Sequence, residues 1–76
     1  MINILLFAHL EEAIGESKLI WTELPITVEG LKQKISEKYN ISLQSVMVAV
    51  NEEYADDALE LCDGDIVALI PPVSGG

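Results

Sequence analysis

The sequence predicts an α+β domain, a mixed sheet of about five strands with one main helix packed across it. Three observations predict it. Short runs of strand-forming apolar residues at 2–8, 46–50 and 66–70 are bounded by turn residues. Between the first two, Val28, Leu31, Ile35 and Tyr39 recur at intervals of three, four and four, which puts a single apolar stripe on one helix. Finally, 76 residues leave room for one domain only, and a chain near this size buries roughly 60% of its unfolded surface.

Taken in order, residues 2–8 are nearly continuously apolar and read as a strand buried on both faces and central in its sheet. Residues 9–14 are helix formers stopped by Gly15, a short helical turn. Residues 18–22 make a second strand, antiparallel to the first and closed by Pro25. Thr27 is placed to cap the main helix. Glu29 in its first turn and Lys38 in its last complement the helix dipole, and Asn40 can take the left-handed conformation that ends it. Gly30 weakens the helix by about 1 kcal/mol relative to alanine, which a close approach to the sheet would explain. Residues 46–50 form another buried strand, and Asn51 to Glu53 turn into a short strand around Tyr54 and Ala55. Leu59 and Leu61 are expected to cover a core edge. Asp63-Gly64-Asp65 makes a tight turn before the last strand at 66–70, again apolar on both faces and so central. Phe7, Leu31, Ile35, Val48, Val50, Val67 and Leu69 are expected to form one core. The predicted division is a body at 1–70 and an extended tail at 71–76.

Charge and cysteine usage narrow the classes of function. A net charge of −9 argues against nucleic acid or an anionic membrane as partner, since both require a positive patch, and favours basic protein surfaces. A single cysteine, Cys62, rules out an intrachain disulfide and a cysteine-based metal cluster and suits a cytoplasmic location. The longest apolar run, 66–73, falls far short of the ~20 residues that span a bilayer.

The chemistry points to the tail, Pro71-Pro72-Val73-Ser74-Gly75-Gly76. The prolines fix φ and give the tail a set direction, whereas the two glycines have no Cβ and can thread a narrow channel. Six extended residues reach about 20 Å. Mobility is expected at 74–76 in the free protein. The α-carboxylate of Gly76 is ionised at neutral pH and a poor electrophile. ATP could convert it to an acyl-adenylate, from which a sulfur nucleophile would displace AMP.

The runs Ile4-Leu5-Leu6-Phe7-Ala8, Thr27-Val28-Glu29-Gly30-Leu31 and Val48-Ala49-Val50-Asn51 carry a more specific signal. They are followed by residues 61–68, with the Asp-Gly-Asp lead into the last strand, and by the Pro-Pro-Val-Ser-Gly-Gly ending. Together they resemble the small, sulfur-carrying subunits of molybdopterin synthases, a ubiquitin-like β-grasp family, over essentially the whole chain. The resemblance implies that Gly76 is adenylated by a ubiquitin-activating-type enzyme, converted to a thiocarboxylate, and inserted into the large synthase subunit. There its sulfur would pass to cyclic pyranopterin monophosphate, in a heterotetramer whose large subunit supplies the residues that act on substrate. It further implies that Pro71, Pro72, Val73, Ser74 and Gly75 fill the partner's channel and that the sheet, with Phe7 and the tail base, docks the large subunit. ATP would be used by the activating enzyme, and no cofactor would be bound by this chain. Carriers for thiamine or tRNA thiolation, and a protein modifier joined to lysines, share such a di-glycine end and stay open.

The remaining residues offer no catalytic group of their own, so the chain reads as a sulfur donor and not as a self-sufficient enzyme. His9, the only histidine, reads as a residue at the end of the first strand, without the named partner a base needs. Cys62 reads as a small structural hydrophobe, with no basic residue beside it in sequence. Seven of the 13 acids fall at 52–65, namely Glu52, Glu53, Asp56, Asp57, Glu60, Asp63 and Asp65. Their spacing does not fit a calcium loop, which leaves a solvated face or a docking face for a basic partner. No metal site is expected. Three of the four lysines lie on the predicted helix, which sets a positive face against an acidic one.

Overall fold

The computed structural model describes residues 1–72. The predicted tail residues Val73, Ser74, Gly75 and Gly76, and the mobility expected at 74–76, lie outside the described residues. In chain order the elements are β1 (Ile2–Leu6), α1 (Ala8–Ile14), β2 (Lys18–Trp21), β3 (Ile26–Thr27), α2 (Val28–Tyr39), β4 (Met47–Val50), β5 (Glu53–Tyr54), β6 (Glu60–Leu61) and β7 (Ile66–Ile70). Five strands form a mixed sheet in the order β2-β1-β7-β4-β5, with β3 and β6 as a separate two-stranded sheet. β1 and β7 run parallel, and every other pair is antiparallel. The central place expected for residues 66–70 is borne out, and β1 lies inside the sheet beside β7.

Helix α2 forms where its stripe and caps predict. Thr27 Oγ1 accepts a hydrogen bond from the Gly30 amide at 3.1 Å, and Asn40 ends the helix at φ 55°. Val28, Leu31 and Ile35 are fully buried, each contributing about 1.5–3 kcal/mol relative to exposure. They share a core with Ile2, Ile4, Val48, Val67 and Leu69. Gly30 does mark a close approach, but to the small sheet: a Cβ there would stand 3.0 Å from Ile26 Cγ1 in β3. The first turn of α2 is tied down further, since the Val28 and Glu29 amides donate to the carbonyls of Leu59 and Asp57.

Several expectations are corrected. The strands are not buried on both faces: β1 and β7 alternate, with Ile2, Ile4, Val67 and Leu69 buried and Asn3, Leu5, Ala68 and Ile70 half-buried. One twelve-residue helix covers only one face of the sheet. Phe7 leaves the predicted core for the same reason. It falls on the uncovered face, 47% exposed, at the end of β1. The pair β3 and β6 was not foreseen, because two residues per strand leave no periodicity to read. Leu61 covers a core edge as expected, whereas Leu59 is exposed. His9 sits exposed in α1 and not at a strand end. Cys62 is exposed, not packed in a core, because it follows β6 in the turn into β7, where its amide donates to Asp65 Oδ2 at 2.8 Å. The helix lysines do not form a face apart from the acids, since Lys32 and Lys34 reach Asp57 and Glu23 at 3.4 and 3.2 Å.

One polar cluster fixes the approach to the central strand. Asn51 and Glu52 both have positive φ, 52° and 72°, the backbone of a tight hairpin turn joining β4 to β5. From that turn Asn51 Oδ1 accepts from the Ile66 amide and Asn51 Nδ2 donates to Asp65 Oδ1, both at 3.0 Å. The Asp65 amide donates back to the Cys62 carbonyl across Gly64, whose φ is 92°. The tight turn expected at Asp63-Gly64-Asp65 is therefore present, and it is bolted to the neighbouring hairpin.

Candidate functional site

The described part of the predicted site is the base of the tail and the sheet around it. Strand β7 is paired on both sides, to β1 and to β4, and passes directly from Ile70 to Pro71. Pro71 is half-buried and Pro72 exposed. A central strand held along both edges gives the tail a fixed point of departure, and the two prolines restrict φ where the chain leaves it.

Around that point lies the uncovered face of the five-stranded sheet, which the register arranges in rows. At the tail end, Ile70 stands opposite Met47, and Phe7 follows Leu6, itself paired with Leu69. Phe7 is extended, at φ −129° and ψ 154°, so it shares a face with Asn3 and Leu5. The next residue, Ala8, turns the chain away at φ 51°, a conformation that costs an alanine about 1 kcal/mol. A middle row runs Lys18, Leu5, Ala68, Ala49 and Tyr54 across all five strands. At the far end Ile20, Asn3 and Ile66 lie in line.

Phe7, Met47, Ile20 and Ile66 are each about half exposed, and Tyr54 is 71% exposed. Together they leave the uncovered face of the sheet largely apolar. Phe7 was foreseen as a docking residue and stands within it. Met47, Ile66 and Ile70 were missed as residues of this face because their runs were read as buried, and Ile20 and Tyr54 because their strands were assigned no face. The usable signal was the layer count: a chain with one long helix leaves one sheet face uncovered.

The face has an electrostatic direction. Glu52, Glu53 and Asp56 are exposed along its β5 side, and Lys18 stands on its β2 side. Among the described residues there is no grouping of histidine, cysteine, aspartate or glutamate suited to hold a metal ion. Among them, too, no helix is long and apolar enough to cross a membrane. His9, on α1, and Cys62, beyond β6, are not brought together with the tail base.

A model of the ThiS family matches residues 4–76, nearly the entire chain. The chain belongs to the ThiS family. Within it, the sequence is 38% identical over 82 residues to the molybdopterin synthase sulfur carrier subunit of Dictyostelium discoideum, covering 97% of this chain and 94% of that one. This bears out the resemblance read from the Asp-Gly-Asp turn and the Pro-Pro-Val-Ser-Gly-Gly ending. The ThiS-family chain also superposes on the crystal structure of SAMP1 from Haloferax volcanii with TM-score 0.79 at 25% identity, over 99% of this chain and 98% of that one. A subunit in the complex of subunits 1 and 2 of the molybdopterin-converting factor from Helicobacter pylori has the same fold, with TM-score 0.69 at 24% identity over 99% and 97% of the two chains. The architecture is the ubiquitin-like β-grasp.

Proposed function

We propose that this chain is a sulfur carrier for molybdopterin synthesis, loaded and unloaded at the carboxyl group of Gly76. The observation that carries the reading is the exit of Ile70 and Pro71 from the clamped central strand, beside the exposed Phe7 and Met47. A rigid platform, an apolar docking face and a directed tail are the parts a carrier needs. Family membership and the likeness to sulfur carrier subunits support the same chemistry.

In the loading step a carboxylate oxygen of Gly76 attacks the α-phosphorus of ATP on a ubiquitin-activating-type enzyme and pyrophosphate leaves. Sulfur at the hydrosulfide level then attacks the acyl carbon and displaces AMP, and loss of the S–H proton leaves a thiocarboxylate. In the unloading step the tail enters the large subunit of molybdopterin synthase through Pro71, Pro72, Val73, Ser74 and Gly75, and sulfur passes to cyclic pyranopterin monophosphate. Water at the acyl carbon restores the carboxylate. Two carriers docked on a dimer of large subunits make a heterotetramer, a partnership in keeping with the two-subunit complex from Helicobacter pylori. The carrier itself contributes position and sulfur, and the partners contribute ATP chemistry and substrate binding.

The docking face holds the large subunit by apolar burial, and the surrounding acids speed encounter. Association should therefore slow as salt rises, with screening over about 10 Å at 0.1 M. The decisive experiment moves the reacting group. Appending one residue after Gly76 shifts the carboxylate by about 3 Å, and a misplacement of about 1 Å can cost a hundredfold in rate. This variant, and one lacking Gly76, should fold and bind the large subunit. Neither should exchange pyrophosphate with the activating enzyme or gain the oxygen-to-sulfur mass increase. Full sulfur transfer by either variant would overturn the proposal, and recovery of Gly76 joined to lysine side chains would make the chain a modifier instead.

A further inference from the structure

A second feature of the surface lies beside β5, the terminal strand of the sheet, and does not involve the tail. Among the described residues no strand follows β5 in the sheet order, and its residues Glu53 and Tyr54 line an open groove of about 670 Å³ whose other wall is the segment at 58–62. Ala55, Ala58 and Leu59 make much of the groove apolar. Two exposed large hydrophobic residues, Tyr54 at 71% and Leu59 at 43%, border it. Solvent-facing side chains of that size in a concave setting are the usual anchors of a protein contact.

The carboxylates around the groove differ in what they have left to offer. Asp65 is consumed internally, by Asn51 Nδ2 and the Cys62 amide. Glu53, Asp56 and Glu60 also line the groove, and none of them is paired with a lysine among the described residues, in contrast to Asp57 and Glu23. Three free carboxylates bordering an apolar floor, on a chain of net charge −9, select a cationic occupant. The edge strand β5, with no strand beyond it among the described residues, suits an extended segment.

We propose that this groove is a second docking site, which takes an extended cationic segment of a partner protein, with one aliphatic or aromatic side chain seated among Tyr54, Ala58 and Leu59 and its lysines or arginines against Glu53, Asp56 and Glu60. The site shares Tyr54 with the β5 end of the open face but none of Phe7, Met47 and Ile70, so its test does not depend on the sulfur-carrier reading.

A test uses the full chain and a blocked pentapeptide, Arg-Arg-Leu-Arg-Gly, followed by backbone amide shifts. Saturable shifts are expected at Tyr54, Ala55, Ala58, Leu59 and Glu60. Replacing the leucine of the peptide by glycine should weaken binding about tenfold or more, an effect of hot-spot size. The double variant Asp56→Gln with Glu60→Gln should weaken it comparably and flatten its salt dependence. Leu59→Ser should remove the preference for leucine over glycine, and an unchanged amide spectrum elsewhere confirms that this variant folds. Shifts spread evenly over Glu11, Glu12 and Glu37, or insensitive to the leucine, would reduce the interaction to net-charge attraction and overturn the proposal. Shifts confined to Ile20, Met47 and Ile66 would assign the peptide to the open sheet face and overturn it equally, as would no binding at millimolar peptide.

Discussion

On one face of the sheet Ile2, Ile4, Val67 and Leu69 are fully buried, and on the other Ile20, Ile66 and Met47 stand about half exposed, although the same kinds of residue alternate along the same strands. What differs is the layer above. Helix α2 lays Val28, Leu31 and Ile35 over the first face, and no element of the described chain lies over the second. Residue type therefore does not decide which apolar side chains belong to the core. On the covered face an isoleucine contributes to folding, and on the open face about half of it stays in contact with solvent at some cost in solubility.

The sharpest test of that contrast is Leu31→Ala. Leu31 is 1% exposed, so its truncation should cost about 2–5 kcal/mol in denaturant unfolding. An unchanged midpoint would remove α2 from its place over the sheet. The reciprocal experiment is Phe7→Ser combined with Met47→Ser, which should leave stability within about 0.5 kcal/mol, as for surface positions. The same pair should weaken large-subunit binding by about 2 kcal/mol or more, measured by calorimetry. Loss of stability without loss of binding would reverse the roles assigned to the two faces.

A smaller effect probes how the covering layer is anchored. Thr27→Ala removes the acceptor for the Gly30 amide and should cost about 1 kcal/mol, with hydrogen exchange accelerated first in the opening turn of α2. The smallest concerns the rim of the open face, where Glu52 holds φ 72°. Glu52→Gly should raise stability by about 0.5–1 kcal/mol, because it relieves the left-handed strain and completes an Asn-Gly turn. A fall in melting temperature would show that the Glu52 side chain makes a contact worth more than the strain.

Much of this was legible in the sequence wherever a local rule acts alone. The spacing of Val28, Leu31 and Ile35, the cap at Thr27, the αL residue Asn40 and the turn at Gly64 each depend on neighbours within one or two turns of chain, and each appears as read. The errors arose where a residue's fate depends on distant chain. Phe7 and Met47 are apolar and strand-like, yet exposed because nothing packs above them. Cys62 sits among apolar neighbours in sequence, yet the turn into β7 carries it outward. Strands β3 and β6 exist only because Ile26 meets Leu61 across 34 intervening positions, a match that no local pattern announces. Of the candidate site, Pro71, Pro72 and the di-glycine were marked by their own chemistry, whereas the apolar platform around them became visible only once the layers were counted.

The parallel pairing of β1 with β7 bears on how the molecule is made. The strand that joins the two halves of the sheet is the last of the seven to leave the ribosome, and β1, the first, must wait for it. Some 60 residues separate Leu6 from Ile66, which at about 5–20 residues per second is a delay of about 3–12 s. During that interval β1 has only β2 beside it, and β4 has only the two-residue β5. A nascent chain cut short before β7 can therefore not close its sheet, so the same late event that completes the fold also fixes the point from which residue 71 leaves it.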